Sequence, residues 1–306
     1  MVLLPPKTTP QSWSLLHKSF YQLVKLILPR FIRLYFRLEV NGLENSNKFP
    51  EGTPVIYCFN HRSHLDTFIF ASALVTPFGN RTSCGLMGSG KAMEQKFFRL
   101  LKYLGAFPVY SQNPEPALDY AVKLLKENFA VLIAPQGKRI PSNPVHDYHN
   151  LIREAKSGVG RVILRFNGKV PVVPMYIHGS HEALSRGKIV PEFRSFISIS
   201  FCKPLFFTKY EREEGWSDSD PDFYLTAHKI SNQIMASIRD QMMVQERHFF
   251  QIIGKKFKTP LEKLKISPDS HLKTNRFFSK LLHYHPDELK QWVEKPSEFA
   301  SEPSRS

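Results

Sequence analysis

Asn60-His61-Arg62-Ser63-His64-Leu65-Asp66 holds an imidazole and a carboxylate five residues apart. An apolar run, Pro54 to Phe59, leads into it, and Phe68, Ile69, Ala71, Ser72 and Leu74 follow at helical spacing. The stretch reads as a strand end, a turn and a helix start, which is where α/β folds place reactive groups. With His61 in the turn and Asp66 in the first helical turn, the carboxylate accepts a proton from one imidazole nitrogen. The other nitrogen is then available as a base. This is the base and orienter of a triad without its serine, so a substrate hydroxyl takes the serine's part. The chemistry expected is proton removal from a substrate hydroxyl.

Two other patterns compete for a function. Gly85-Leu86-Met87-Gly88-Ser89-Gly90-Lys91-Ala92 approaches a phosphate-cradling loop, but Ala92 stands where Ser or Thr would hold Mg²⁺. Three His-x-x-His pairs occur, His61 with His64, His146 with His149, and His178 with His181. No cysteine pair or third carboxylate at fixed spacing accompanies them, so no metal is expected. Cys58, Cys84 and Cys202 are far apart and odd in number, which suits free thiols in a reducing compartment.

The elements that must carry the pair follow from periodicity. Short apolar runs alternate with helical patterns from Pro54 to Phe207, which predicts an α/β domain whose mixed, largely parallel sheet is flanked by helices. Strands are expected over Pro54 to Phe59, Thr82 to Met87, Ala106 to Val109, Phe129 to Ala134, Val170 to Ile177 and Phe196 to Cys202. Helices are expected over Lys91 to Leu104, around Ala117, Leu118, Ala121, Leu124 and Leu125, and along Ala227, Ile230, Ile234 and Ile238. Ahead of the domain, residues 1–40 read as an amphipathic helical hairpin broken at Pro29. Ser14, Lys18, Gln22 and Lys25 line one stripe of its first arm, and Arg30, Arg33 and Arg37 one face of its second. The domain itself spans 41–254, and 255–306 form a basic tail, helical or disordered.

The 306 residues carry 42 Lys+Arg against 27 Asp+Glu, a net +15 that favours polyanionic partners. Six of those cations, and no acid, precede Leu38. Basic residues above bulky apolar ones fit a helix lying in the headgroup plane of anionic lipid, although a helix packed on the domain shows the same pattern. Segregated faces argue against a nucleic-acid groove, where bases and aromatics interleave. The longest uncharged stretch, Thr67 to Asn80, has 14 residues, short of the roughly 20 a spanning helix needs. With no secretory signal pattern, an intracellular protein on the cytoplasmic face of a membrane, peripheral or monotopic, is expected.

Asn60-His61-x4-Asp66 after a strand resembles block one of the glycerophospholipid acyltransferase superfamily, which includes the 1-acylglycerol-3-phosphate acyltransferases. Further blocks follow in order. Lys91 in Gly90-Lys91-Ala92-Met93-Glu94 resembles the family's lysine before a helix, and Gly105-Ala106-Phe107-Pro108-Val109 resembles block two. Ala134-Pro135-Gln136-Gly137-Lys138-Arg139 resembles block three, Lys156-Ser157-Gly158 the stretch after it, and Val170-Pro171-Val172-Val173-Pro174 block four. The resemblance covers roughly Leu43 to Leu205. It implies an O-acyltransferase in which His61, oriented by Asp66, activates an acceptor hydroxyl toward the thioester of acyl-CoA or acyl carrier protein, with no further cofactor. Gln136, Gly137, Lys138 and Arg139 would bind the phosphate of a lysophospholipid acceptor, with Asn60, Lys91, Lys156 and Pro171 in support. Two positions depart from the pattern: Gln136 replaces a Glu, and Ser111 replaces an Arg. They leave a catalytically silent lipid-binding protein of the same fold as the alternative.

Overall fold

A computed structural model describes residues 4–6, 9–74, 84–94, 98–137, 155–184 and 190–257. The chain divides into two units, one of residues 1–141 and 152–241 and one of 142–151 and 242–306. Of the second, the described residues 242–257 are helical. The rest of the expected tail, together with Lys138, Arg139, His146 and His149, lies outside the described residues.

The first unit is built on a seven-stranded sheet. Its strands are β1 (Arg37–Asn41), β2 (Ile56–Phe59), β3 (Cys84–Ser89), β4 (Ala106–Val109), β5 (Ala130–Ile133), β6 (Val172–His178) and β7 (Phe196–Phe201). The helices are α1 (Leu15–Tyr35), α2 (Glu44–Asn47), α3 (Asp66–Leu74), α4 (Gly90–Met93), α5 (Glu115–Lys126), α6 (Gly158–Arg165), α7 (Ser180–Ala183) and α8 (Phe223–Phe257). Strand order is β1-β7-β6-β2-β5-β3-β4, and every pair is parallel except β6 with β7. The expectation of a mixed, largely parallel α/β sheet therefore holds.

Central strands β2, β5 and β6 are buried along their whole length, as parallel strands covered on both faces must be. Alternate residues serve alternate layers. Tyr57 and Phe59 pack into one core cluster with Ile32 and Phe36 at the end of α1 and with Ile69 and Phe70 of α3. In β3, Leu86 joins that cluster, whereas a side chain at Gly85 would meet Leu124 of α5 on the opposite face. There α6 crosses α8 so closely that a Cβ on Gly160 would sit 1.9 Å from the Ala227 carbonyl oxygen. The Gly160 N–H donates to Ser231 Oγ at 3.0 Å across that crossing, so only glycine fits.

Two expectations need correction. The N-terminal segment is one helix through Pro29 and not a hairpin, and β1, read as the end of a second helical arm, is an edge strand on β7. Proline removes one ladder hydrogen bond and crowds the carbonyl four residues back. The helix nonetheless runs through, because Tyr21, Pro29 and Ile32 are all buried and hold both sides of the break on the domain. Lys91 to Leu104 is likewise no single α-helix: α4 is one turn, and Phe98–Leu104 is 3₁₀.

Candidate active site

β2 ends at Phe59, and Asn60 then fixes where the chain leaves the sheet. Its buried amide donates from Nδ2 to the Ile177 carbonyl at 3.0 Å and accepts the Ile177 N–H at 2.8 Å. A side chain thus stands in for one more rung of the β2–β6 ladder. His61 follows with its ring partly exposed, 5.8 Å edge-on from Phe59. Its Nδ1 lies 2.9 Å from Asp66 Oδ2, and Asp66 is fully buried.

The same Asp66 oxygen accepts the N–H groups of Arg62 at 2.6 Å and Ser63 at 2.8 Å. Ser63-x-x-Asp66 is half of a capping box, in which the carboxylate of the first turn reaches back to the N–H at the start of the helix. These two N–H groups at the start of α3 fix the carboxylate in position before any substrate arrives. In a neutral imidazole this contact keeps the proton on Nδ1 and leaves the Nε2 lone pair available. Ser63 was not singled out in the sequence, although its capping-box spacing was there to find. Its hydroxyl donates to the Leu184 carbonyl at 3.2 Å, which ties the loop down from the other side.

Gln136 arrives from β5, the neighbour of β2. Connections from these two strands leave in opposite directions across the sheet, β2 toward β3 and β5 toward β6, so a crevice opens at their carboxyl ends. The Oε1 of buried Gln136 accepts the His61 N–H at 3.4 Å, which joins the first and third motif blocks in one site. At Gly137 the backbone turns with φ 67°, and a Cβ there would meet Lys156 Cδ at 2.8 Å. Lys156 lies over that glycine, its N–H held by the Pro135 carbonyl at 2.9 Å, and its Nζ reaches 3.5 Å from Ser111 Oγ. An ammonium therefore borders the position where the resemblance expects an Arg.

Not all expected residues converge. Pro171 lies at the opposite end of the strands, since its carbonyl accepts the Ile56 N–H at the start of β2. Lys91 is exposed on α4, at the carboxyl end of β3. Gly85 and Gly88 are within β3, which leaves no loop to cradle a phosphate. Among the described residues no group of three or more metal-binding side chains assembles. Cys58, in the strand leading to His61, is buried, and burial pushes its thiol well up. Buried Cys202 is pushed to about 12, so neither is a thiolate nucleophile at neutral pH.

A small apolar cleft, open to solvent, runs between α1, α3 and the sheet. Tyr21, Leu28, Phe68, Leu86, Leu101 and Leu132 line it, and Thr67, which follows Asp66 in the chain, borders it.

A buried carboxylate that orients a histidine at the crevice of a largely parallel sheet is an arrangement able to take a proton from a hydroxyl. Residues 37–178 match the Acyltransferase family model. Among solved structures the chain is similar to the 1-acyl-sn-glycerophosphate (LPA) acyltransferase PlsC from Thermotoga maritima. The TM-score is 0.50 at 17% identity, over 75% of this chain and 81% of that one. No curated protein matches it in sequence.

Proposed function

We propose that this acyltransferase moves a fatty acyl group from acyl-CoA or acyl carrier protein to a hydroxyl of a lysophospholipid or glycerol-phosphate-like acceptor at the cytoplasmic face of a membrane. The observation that carries the reading is the 2.9 Å contact of His61 Nδ1 with a fully buried carboxylate oxygen that two further N–H groups already hold. His61 Nε2 takes the acceptor's proton as its oxygen attacks the thioester carbonyl, and the imidazolium that forms is stabilised by Asp66. Collapse of the tetrahedral intermediate expels the thiolate, which recovers that proton. No acyl-enzyme is needed.

Several features support the assignment of parts. The apolar cleft beside Thr67 suits an acyl chain, because its lining is almost wholly hydrocarbon. Gln136 and Lys156 border the His61 crevice and suit the acceptor's hydroxyls and phosphate, with Gly137, Lys138 and Arg139 continuing the same motif. The basic α1 suits the surface of anionic lipid, and no described helix is long and apolar enough to cross a membrane.

The test is to supply purified protein with mixed acyl-CoAs or acyl carrier protein and a panel of lysophospholipids, glycerol 3-phosphate and neutral monoacylglycerols, reading products by mass spectrometry. The expected product is an acylated phosphate-bearing lipid. Acylation of neutral acceptors alone would overturn the acceptor assignment. No product from any pair would leave the lipid-binding protein as the correct reading.

A further inference from the structure

Helix α1 carries two apolar faces. Tyr21, Ile32 and Phe36 just beyond its end are buried in the domain, whereas Leu16, Phe20, Leu23, Ile27, Phe31 and Leu34 recur every three or four residues on another face and are exposed. Leu16 is 81% and Leu34 79% exposed. Near its C-terminal end that stripe does not stop at the helix. Phe31 packs on Tyr35 at 5.4 Å between ring centroids, and Tyr35 meets Phe193 edge-on at 5.2 Å. Phe193 is 60% exposed and Val190 70%, both in the segment that enters β7.

This segment is tied to the helix at several points. The Tyr35 hydroxyl donates to the Pro191 carbonyl at 2.8 Å, the Arg194 N–H donates to the Tyr35 carbonyl at 2.8 Å, and the Arg37 N–H donates to the Ser195 carbonyl at 3.0 Å. Arg194 has φ 58°, in the left-handed region that a non-glycine residue enters only when its surroundings hold it there. Two large apolar side chains are thus held out to solvent by a well-bonded turn, next to an exposed apolar helix face.

We propose that Val190 and Phe193, with Arg194, form a second membrane contact that widens the α1 stripe into a single footprint on an anionic bilayer leaflet. The proposal rests on the membrane-docking reading of α1. Charge selects the occupant: exposed Arg30 and Arg33 lie on α1 beside the C-terminal half of the stripe, Arg37 follows at the helix exit, and Arg194 sits against the Phe193 ring with its guanidinium 5.8 Å from the centroid, while α1 carries no acid. Glu192 is the one acid in the turn. An apolar strip bordered by cations at one end matches acyl chains beneath anionic headgroups. Two Arg-rimmed copies of the chain would repel each other.

The experiment is co-sedimentation of the full chain with phosphatidylglycerol/phosphatidylcholine vesicles, comparing wild type, Val190→Ser/Phe193→Ser, Phe193→Leu, Glu192→Gln and the helix variant Leu16→Ser/Leu23→Ser. Melting temperature is measured for each. The double turn variant should partition about fivefold more weakly or worse, Phe193→Leu should stay near wild type, and Glu192→Gln should bind more tightly. Unchanged partitioning of the turn variant while the helix variant loses binding would overturn the second contact and leave the α1 reading standing. If neither variant loses binding, the α1 reading fails as well. A change in self-association by sedimentation velocity, with partitioning unchanged, would make the occupant a second copy and also overturn the proposal.

Discussion

With Asp66 Oδ2 already accepting the Arg62 and Ser63 N–H groups, an amide at position 66 can keep the loop closed yet cannot stabilise an imidazolium. Asp66→Asn should therefore lower kcat/KM on the order of 10³–10⁴-fold while circular dichroism and melting temperature stay close to wild type. A loss of only a few-fold would make Asp66 a helix cap and nothing more. At Gln136, which accepts the His61 N–H through Oε1, a carboxylate would hold that N–H more strongly and restore the family's charge. Gln136→Glu should raise the rate with lysophosphatidate a few-fold, and a fall would mark adaptation to another acceptor. His61, Asp66, Asn60 and Gln136 were legible because each sits in a short motif whose local geometry follows from a strand end. The approach of Lys156 to Ser111 was not, because 45 residues separate them in the chain and only the sheet order brings them together.

At the scale of elements, α5, α6 and the turn before α8 are tied by charge. Arg165 bonds Glu115, Asp119 and Asp218, and Arg161 bonds Glu115 and Asp218. The hydrogen bond from Arg165 holds the Asp218 carboxyl below its usual range. At Glu115 burial pushes upward, but the hydrogen bonds from Arg161 and Arg165 outweigh it and the net direction is again down. A depressed carboxylate contributes stability that is complete above its unfolded value of about 4 and is lost as pH falls below it. Thermal melts should therefore show stability declining below about pH 4, and Arg165→Met should flatten that decline. The same layer holds the α6–α8 crossing, where Gly160→Val must push the Ala227 backbone away. About 2–3 kcal/mol of destabilisation in a urea melt is expected there. Sequence periodicity placed α5 and α8 because each has an apolar stripe, and α3 was placed by its apolar run after Asp66. It missed β1, whose half-buried edge position leaves no alternation, and it misread Pro29, because the packing that holds both sides of the proline on the domain carries no sequence signature.

For the whole molecule, the net +15 and the acid-free N-terminus predict binding to anionic vesicles that weakens with ionic strength. Raising salt from about 0.05 to 0.5 M should lower partitioning at least about tenfold, whereas neutral vesicles should show little salt response. Deleting the N-terminal segment is a poor probe of this, since Tyr21, Ile32 and Phe36 are buried in the core and their loss would unfold the domain. Lys18→Gln, Lys25→Gln and Arg30→Gln together should reproduce the effect of high salt. His61 as the base of direct acyl transfer is probed by product formation of wild type and His61→Ala under single-turnover conditions with matched donor and acceptor. His61→Ala should bind vesicles and melt like wild type but form product at least about 10³-fold more slowly. Product formed by His61→Ala at the wild-type rate would contradict that role.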